Sequence, residues 1–331
     1  MPKKIKEELI NLRPELQDFQ TYFESEIEEK YDDLLEQGAK NKRWFLMTAI
    51  PSITLFPLFL WIVLGYFNMP LGSWITWILI AVYPILAWFL SVFMLMDTKA
   101  EMKSLLTSKL YDYFELSRQP GGNSNEMVAP FRRHDLVPRH NERKTDDWIE
   151  GTVGETPFEF VECKLVKVTK TKNHQNSYRT TKTRRTIYSG FLLRLQIDNV
   201  LDGEFLLRKR RGIIEKLFGL SGSDNDGKKI ELGTTSLGRG YDAWSNGDDL
   251  AQKAISQFLP RLVKALEPLK PKSINCKKVG NSIYIAAECR DLFEPKVFFA
   301  SMRDGNQLET AIRELAAILD VVDSGKAFEP V

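Results

Sequence analysis

The stretch that decides the predicted fold runs from Trp44 to Met96 and reads WFLMTAIPSITLFPLFLWIVLGYFNMPLGSWITWILIAVYPILAWFLSVFMLM. It contains no charged side chain, and turn-forming residues at 68–73 divide it into two apolar runs, 44–67 and 74–96. As a helix, each run would be roughly 35 Å long, and a hydrocarbon core is about 30 Å thick. A hairpin buried in a protein core is the alternative, but such a hairpin normally carries a polar stripe. The stretch therefore predicts a transmembrane helical hairpin.

The residues that flank the two runs predict their orientation. Lys40, Lys42 and Arg43 precede the first run, Lys99 and Lys103 follow the second, and the connecting loop has no Lys or Arg. Positive residues stay on the cytoplasmic side of a membrane. The sequence thus predicts a multi-pass protein of the bacterial cytoplasmic (inner) membrane with both termini in the cytoplasm. The net charge of the whole chain, +2, does not reveal this concentration of Lys and Arg beside the two runs.

Apolar residues at helical spacing lie on both sides of the hairpin. Residues 1–43 are predicted to contain an amphipathic cytoplasmic helix, and residues 97–118 a second helix with a matching apolar stripe. Two such stripes are expected to pack on each other as a coiled-coil-like stalk, and the alternative is that each lies flat on the membrane. Residues 119–146, rich in Gly, Pro, Asn and Arg, are predicted to form a linker.

The remaining residues, 147–331, predict an α+β domain. Short strand-like runs fill its first part, and two further strands are predicted at 282–287 and 297–300. Apolar faces predict helices at 248–269 and 305–322, with Pro260 expected to kink or split the first. The predicted fold class is therefore an α+β cytoplasmic domain, large enough to bury its own core, anchored by a two-helix transmembrane hairpin.

Several short motifs occur in a recognisable order along the chain. They are Asp146-Asp147-Trp148-Ile149-Glu150-Gly151, Phe158-Glu159-Phe160, Ile187-Tyr188-Ser189-Gly190-Phe191, Asn281-Ser282-Ile283-Tyr284-Ile285-Ala286 and Asp291-Leu292-Phe293-Glu294-Pro295. Together with the hairpin, this order resembles a family of bacterial two-span membrane proteins defined only by a domain of unknown function. The resemblance covers nearly the whole chain. It implies a membrane-anchored domain and brings no activity with it.

The most unusual soluble feature is a basic hairpin at 164–185, which contains no acidic residue. Strand patterns on both sides predict two paired strands with a tip at 174–177. A second basic cluster follows at 208–211. The predicted binding residues of this basic surface are Lys170, Lys172, Arg179, Lys182, Arg184, Arg185, Arg208, Arg210 and Arg211.

Three interpretations of the basic hairpin stay open. Lys and Arg on exposed strands protect an edge from pairing with other chains. They also contact anionic lipid headgroups close to a membrane, or an acidic protein. Nucleic acid is disfavoured, because binding to single strands calls for aromatic side chains between the basic residues and Tyr178 stands alone there.

Catalytic and metal-binding motifs are missing from the sequence. No GxSxG, HExxH or P-loop pattern occurs, and the three cysteines show no CxxC spacing. His134, His140 and Cys163 match no familiar metal site, so no metal and no cofactor are predicted. The predicted function is that of a membrane-anchored binding, adaptor or scaffold protein in contact with the lipid bilayer. A membrane-bound enzyme with an unrecognised site and a nucleic-acid-binding membrane protein are the alternatives, and a homo-oligomer is left open.

Overall fold

The computed structural model describes residues 7–54, 61–62, 74–119, 124–172, 180–198, 203–210, 228–230, 240–294 and 306–328. The α-helices in this part of the chain are α1 Glu7–Ile10, α2 Phe19–Glu26, α3 Glu28–Thr54, α4 Trp74–Tyr113, α5 Ser124–Arg133, α6 Asp249–Leu266 and α7 Asn306–Ser324. The 3-10 helices are Pro14–Leu16, Glu267–Leu269 and Gly325–Phe328. The strands are β1 Ser117–Arg118, β2 Glu142–Val153, β3 Thr156–Lys172, β4 Thr180–Gln196, β5 Phe205–Lys209, β6 Lys228–Ile230, β7 Tyr241–Ser245, β8 Ser273–Val279 and β9 Ser282–Glu288.

The chain divides into two compact units. Unit 1 comprises Met1–Tyr113 and Phe293–Ile312, and unit 2 comprises Phe114–Leu292 and Arg313–Val331. One boundary between the two units therefore lies inside α7, between Ile312 and Arg313.

Unit 1 is a helical unit in which α3 packs along α4. Side chains at a spacing of four residues are buried along α2 and α3, namely Phe23 of α2, Ile27 at the junction and Tyr31 of α3. From α4, the Lys109 ammonium lies 2.8 Å from the Glu26 carboxylate, and the Tyr22 hydroxyl donates a hydrogen bond to the Lys109 carbonyl at 3.3 Å. Apolar spacing along each helix thus produces one buried stripe per helix, as hydrophobic burial favours.

Unit 2 is built on a nine-stranded sheet within the described residues. Its strand order is β1-β2-β3-β4-β9-β8-β5-β7-β6, and each described pair is antiparallel. α5 covers one face, where Met127 and Phe131 pack with Val161 and Leu192. On the opposite face, Phe258 of α6 and Phe328 pack against Phe205 of β5. The sheet is therefore covered by helices on both faces of its central strands.

Helix α6 begins at a side-chain cap. The Asp248 carboxylate accepts a hydrogen bond from the Ala251 N–H at 2.8 Å, which satisfies one otherwise unpaired donor of the first turn. The helix continues through Pro260 as a single element, with Ile255, Phe258 and Leu262 buried on one side. Of the two predicted effects of Pro260, a kink or a split, the split does not occur.

The predicted fold class is contradicted by the structure. Over the residues described, none of the helices combines the length and the apolar character that crossing a membrane requires. The described residues 44–54 of the first run belong to α3, a helix whose preceding residues 28–43 are rich in charged side chains. The rest of that run and the loop, residues 55–60 and 63–73, lie outside the described residues.

The second apolar run, 74–96, is the first part of the 40-residue α4, which continues through the charged residues Asp97, Lys99 and Lys103. The prediction of a transmembrane hairpin, and with it a multi-pass location in the bacterial inner membrane, was wrong on this finding. The structure shows instead a mixed α/β fold around a large antiparallel sheet. The hydropathy of a segment reports its own composition. It does not show that the segment continues into a longer helix with charged residues.

Candidate anion-binding surface

The outer halves of β3 and β4 form a two-stranded ribbon, residues 166–172 and 180–186, here called the basic arm. Its seven residue pairs run from Val166 opposite Thr186 to Lys172 opposite Thr180, which corresponds to a length of about 24 Å. A β-bulge between Leu165 and Val166 marks its base. Residues 169–171 and 181–186 are all exposed, without the alternation of a half-buried strand. Both faces of the basic arm are thus open to solvent.

The strand register places like charges opposite each other in the basic arm. Lys170 is paired with Lys182, and Lys167 with Arg185. Like charges directly opposite each other destabilise a sheet. The basic arm has no acidic residue in its own sequence, and the ion pair of Arg184 with Glu142, at 3.2 Å, joins two exposed side chains and contributes little. This arrangement favours an external anion as the counter-charge.

The same register distributes the cations over both faces of the ribbon. Because successive residues of a strand point to opposite faces, Lys170, Lys182 and Arg184 share one face. Lys167 and Arg185 share the other. Instead of the single positive surface predicted from the sequence, the arm has two positive surfaces, one on each face of the ribbon.

The remaining residues of the predicted basic surface do not join the basic arm. Arg208 donates hydrogen bonds to the carbonyls of Asp135 at 2.9 Å and His134 at 3.4 Å. Arg210 lies 3.1 Å from the Asp242 carboxylate. The pKa of that carboxyl is lowered chiefly by its hydrogen bond with Lys229, and Arg210 adds to the effect. Arg179 and Arg211, together with the side chain of Lys172, lie outside the described part.

A second basic feature lies in the segment predicted as a linker. A cleft of about 560 Å³, here called the arginine cleft, opens between the end of α5 and the start of β2. Its lining residues are Ala129, Arg132, Arg133, Asp135, Arg139, His140 and Arg143. The high Arg content of residues 117–147 is the sequence feature that could have indicated the arginine cleft. Composition does not show which of these side chains lie close together in the fold.

The walls of the arginine cleft are held by the core and by hydrogen bonds. The Asn275 amide donates to the Leu136 carbonyl at 3.0 Å, next to the carbonyls that Arg208 holds. Asn141 binds the backbone of Val168 twice, as donor to its carbonyl at 2.8 Å and as acceptor from its N–H at 2.7 Å. The loop that carries Arg139 and His140 is thus fastened at both ends.

The arginine cleft and one face of the basic arm share a face of the sheet. Arg143 of β2 is paired with Leu165 of β3, and Lys167 follows Leu165 by two residues. Paired residues, and residues two apart along a strand, lie on the same face. Positive charge therefore continues from the arginine cleft to the Lys167 and Arg185 face of the arm.

Within the described residues, the three thiols, His134 and His140 do not form a reactive cluster. Burial raises the pKa of both Cys163 and Cys289 to about 12 and that of Cys276 well above its usual value, so these thiols stay protonated at neutral pH. Burial also lowers the pKa of His134, whose ring packs on Tyr284. Across the residues that the structure describes, no group of three or more His, Cys, Asp or Glu side chains is placed to hold a metal ion.

A second cleft, of about 530 Å³, contains two carboxylates of neighbouring strands. Glu150 and Glu159 are cross-strand partners, and burial raises the pKa of Glu159 although Arg194 opposes the shift. Arg194 forms an ion pair with Glu159, and Gln119 donates to Glu150 at 3.1 Å. Both carboxylates are held by contacts within the fold, which favours a structural role over an acid and base pair.

Comparisons with known proteins add no information on the function of this surface. No family model matches the chain, and neither a curated protein nor a solved structure is significantly similar to it. The resemblance to a family of bacterial membrane proteins, drawn from the short motifs, stays a prediction.

Proposed function

We propose that the protein binds double-stranded nucleic acid, with the basic arm lying in a groove of the duplex. The observation that carries this proposal is the presence of cations on both faces of an exposed two-stranded ribbon. A groove has phosphates on both walls, and the major groove, about 12 Å wide, admits a two-stranded β-ribbon. Lys170, Lys182 and Arg184 would face one wall while Lys167 and Arg185 face the other.

The distribution of charge favours a groove over a flat anionic surface. A layer of lipid headgroups contacts one face of a ribbon and leaves the cations of the other face in water. An acidic protein with a flat surface has the same limitation. Edge protection accounts for single lysines on a strand but not for like charges placed opposite each other.

The side chains of the basic arm also suit a duplex better than a single strand. Single strands are held largely by stacking of bases on aromatic rings. The residues of the arm are Lys, Arg, Thr and Val, with no aromatic side chain at 166–172 or 180–186. Lys, Arg and Thr are typical donors to phosphate oxygens, and these contacts position a protein without reading the sequence of the bases. We therefore expect binding with little sequence preference.

The test measures duplex affinity of the full-length chain by fluorescence anisotropy between about 50 and 200 mM salt. Two variants remove the cations of one face each: Lys170→Gln/Lys182→Gln/Arg184→Gln and Lys167→Gln/Arg185→Gln. Because each phosphate contact contributes roughly 0.9 to the slope of log affinity against log salt, both variants should weaken binding and flatten this slope. The first should flatten it more, since it removes one cation more.

A matched control removes three exposed cations from the other side of unit 2, Lys253, Arg261 and Lys264 on α6. This variant should bind the duplex like the wild type. Loss of binding in only one of the two arm variants would favour a flat partner. Binding to anionic vesicles without any binding to duplex would replace nucleic acid by a lipid surface.

A further inference from the structure

We infer that the arginine cleft is a separate binding site for the polyphosphate group of a small ligand. The inference does not depend on the proposed function of the basic arm. Six of the seven lining residues are ionisable, and four of these are arginines. The volume of about 560 Å³ lies in the range of small-molecule sites, roughly 300 to 1,000 Å³.

The backbone brings the arginines together through a defined turn. Helix α5 ends with the Leu136 N–H bonded to the Phe131 carbonyl at 2.9 Å and the Asp135 N–H bonded to the Arg132 carbonyl at 3.1 Å. This pair of hydrogen bonds is a Schellman motif, and Asp135 takes its left-handed position with φ 53°. The chain reverses there.

The reversal brings Arg139 and Arg143 to the same opening as Arg132 and Arg133. Three segments, the end of α5, the following loop and the start of β2, each supply guanidinium groups. The geometry of the opening therefore depends on the backbone and does not require the side chains to attract one another.

The charge of the arginine cleft selects the class of ligand. Four arginines against the one carboxylate of Asp135 leave a local charge of three positive units at neutral pH. A single phosphate, with up to two negative charges, would leave part of this charge uncompensated. A pyrophosphate or a nucleoside diphosphate brings three charges, and its terminal oxygens match the paired N–H groups of guanidinium.

His140 adds a directional group to the site. Its Nδ1 lies 3.1 Å from the Pro138 carbonyl. A carbonyl only accepts, so Nδ1–H is the donor in this contact, and Nε2 donates to a phosphate oxygen only in the imidazolium form. The ring orientation is thus set before any ligand enters.

The experiment titrates the full-length protein with inorganic pyrophosphate in a calorimeter. Pyrophosphate should bind with one site per chain, and orthophosphate more weakly. The double variant Arg132→Gln/Arg139→Gln should weaken binding about tenfold or more for each guanidinium removed, as expected for charge-assisted hydrogen bonds. Both arginines are exposed, so the fold should be unaffected. Arg133→Gln is a second variant that removes one guanidinium from the helix end.

Further variants separate this site from the basic arm and from non-specific attraction. Lys170→Gln/Lys182→Gln/Arg184→Gln should bind pyrophosphate like the wild type. Asp135→Gly should bind it more tightly, because the variant removes the carboxylate of the cleft and keeps the left-handed turn. Titration with ADP distinguishes the source of the phosphate, since tighter binding of ADP than of pyrophosphate indicates a nucleotide. No binding of pyrophosphate by the folded wild type, or equal binding by the double variant, would overturn the inference.

Discussion

The two halves of the β3–β4 pair have the same backbone pairing and opposite surroundings. In the inner half, from Phe158 opposite Leu195 to Leu165 opposite Tyr188, both faces of the pair contribute buried side chains. In the outer half, the basic arm, the ladder continues for seven more pairs, and the described side chains are exposed except for the half-buried Val166 and Val168. One β-bulge separates the two halves.

The two halves differ in what stabilises them and in what their side chains are able to contact. The inner half is stabilised by packing against helices on both faces of the sheet. Beyond its base, where Asn141 binds the Val168 backbone, the outer half is held by cross-strand contacts, and an isolated two-stranded ribbon is marginally stable in water. Thr at six of its fourteen positions supports the extended backbone. Its cations, placed opposite each other, do not stabilise the arm, and this placement supports the partner proposed above.

The largest expected difference between the halves concerns packing. Phe160 is fully buried and its ring lies 5.4 Å from that of Phe191. Phe160→Ala should lower the free energy of unfolding of unit 2 by about 3 to 5 kcal/mol, because it leaves a cavity in the core. Denaturant unfolding followed by circular dichroism measures the change. Val168→Ala in the basic arm is the control and should cost less than about 1 kcal/mol. Similar losses in both variants would remove the distinction between the halves.

A smaller effect is expected at the border between them. The buried hydroxyl of Tyr188 lies 2.7 Å from the Phe191 carbonyl and 3.1 Å from the Ala287 carbonyl, and its single proton is shared between the two acceptors. Tyr188→Phe keeps the ring and removes this donor, so unit 2 should lose about 0.5 to 1.5 kcal/mol. The same unfolding measurement tests it. A variant as stable as the wild type would show that β4 and β9 are joined by their ladder alone.

The smallest effect, and one of opposite sign, is expected in the basic arm. Lys182→Glu places a carboxylate opposite Lys170 and replaces a repulsive pair by an attractive one. Native-state hydrogen exchange should show roughly 1.4-fold to fivefold more protection of the arm amides, the range that about 0.2–1 kcal/mol per pair implies.

The same variant should bind duplex nucleic acid more weakly than the wild type, so stability and binding move in opposite directions. Thr183→Glu is the control for the added carboxylate, which it places opposite Thr169 without removing a lysine. It should leave the exchange of the Lys170 and Lys182 amides nearly unchanged. Parallel loss of stability and binding in Lys182→Glu would contradict the view that the arm is built for a partner.

Sequence patterns predicted the elements that depend on local spacing. The apolar faces at 248–269 and 305–322 correspond to α6 Asp249–Leu266 and α7 Asn306–Ser324, because helical periodicity is visible in a short window. The basic composition of the arm was equally visible. Its register was not, and the register is what divides Lys170, Lys182 and Arg184 from Lys167 and Arg185.

The sequence by itself determined the helices near 248–269 and 305–322, their apolar faces and the places where positive charge is concentrated. The prediction from the sequence was wrong at 44–96, where the absence of charge predicted a membrane hairpin that the described helices contradict. Only the tertiary structure decided that the Arg residues of the supposed linker meet in one cleft. The turn at Asp135, the Asn141 contacts to Val168 and the pairing of Arg143 with Leu165 join three segments that share no local pattern. A site assembled from non-local contacts has no periodicity to read, and packing is what creates it.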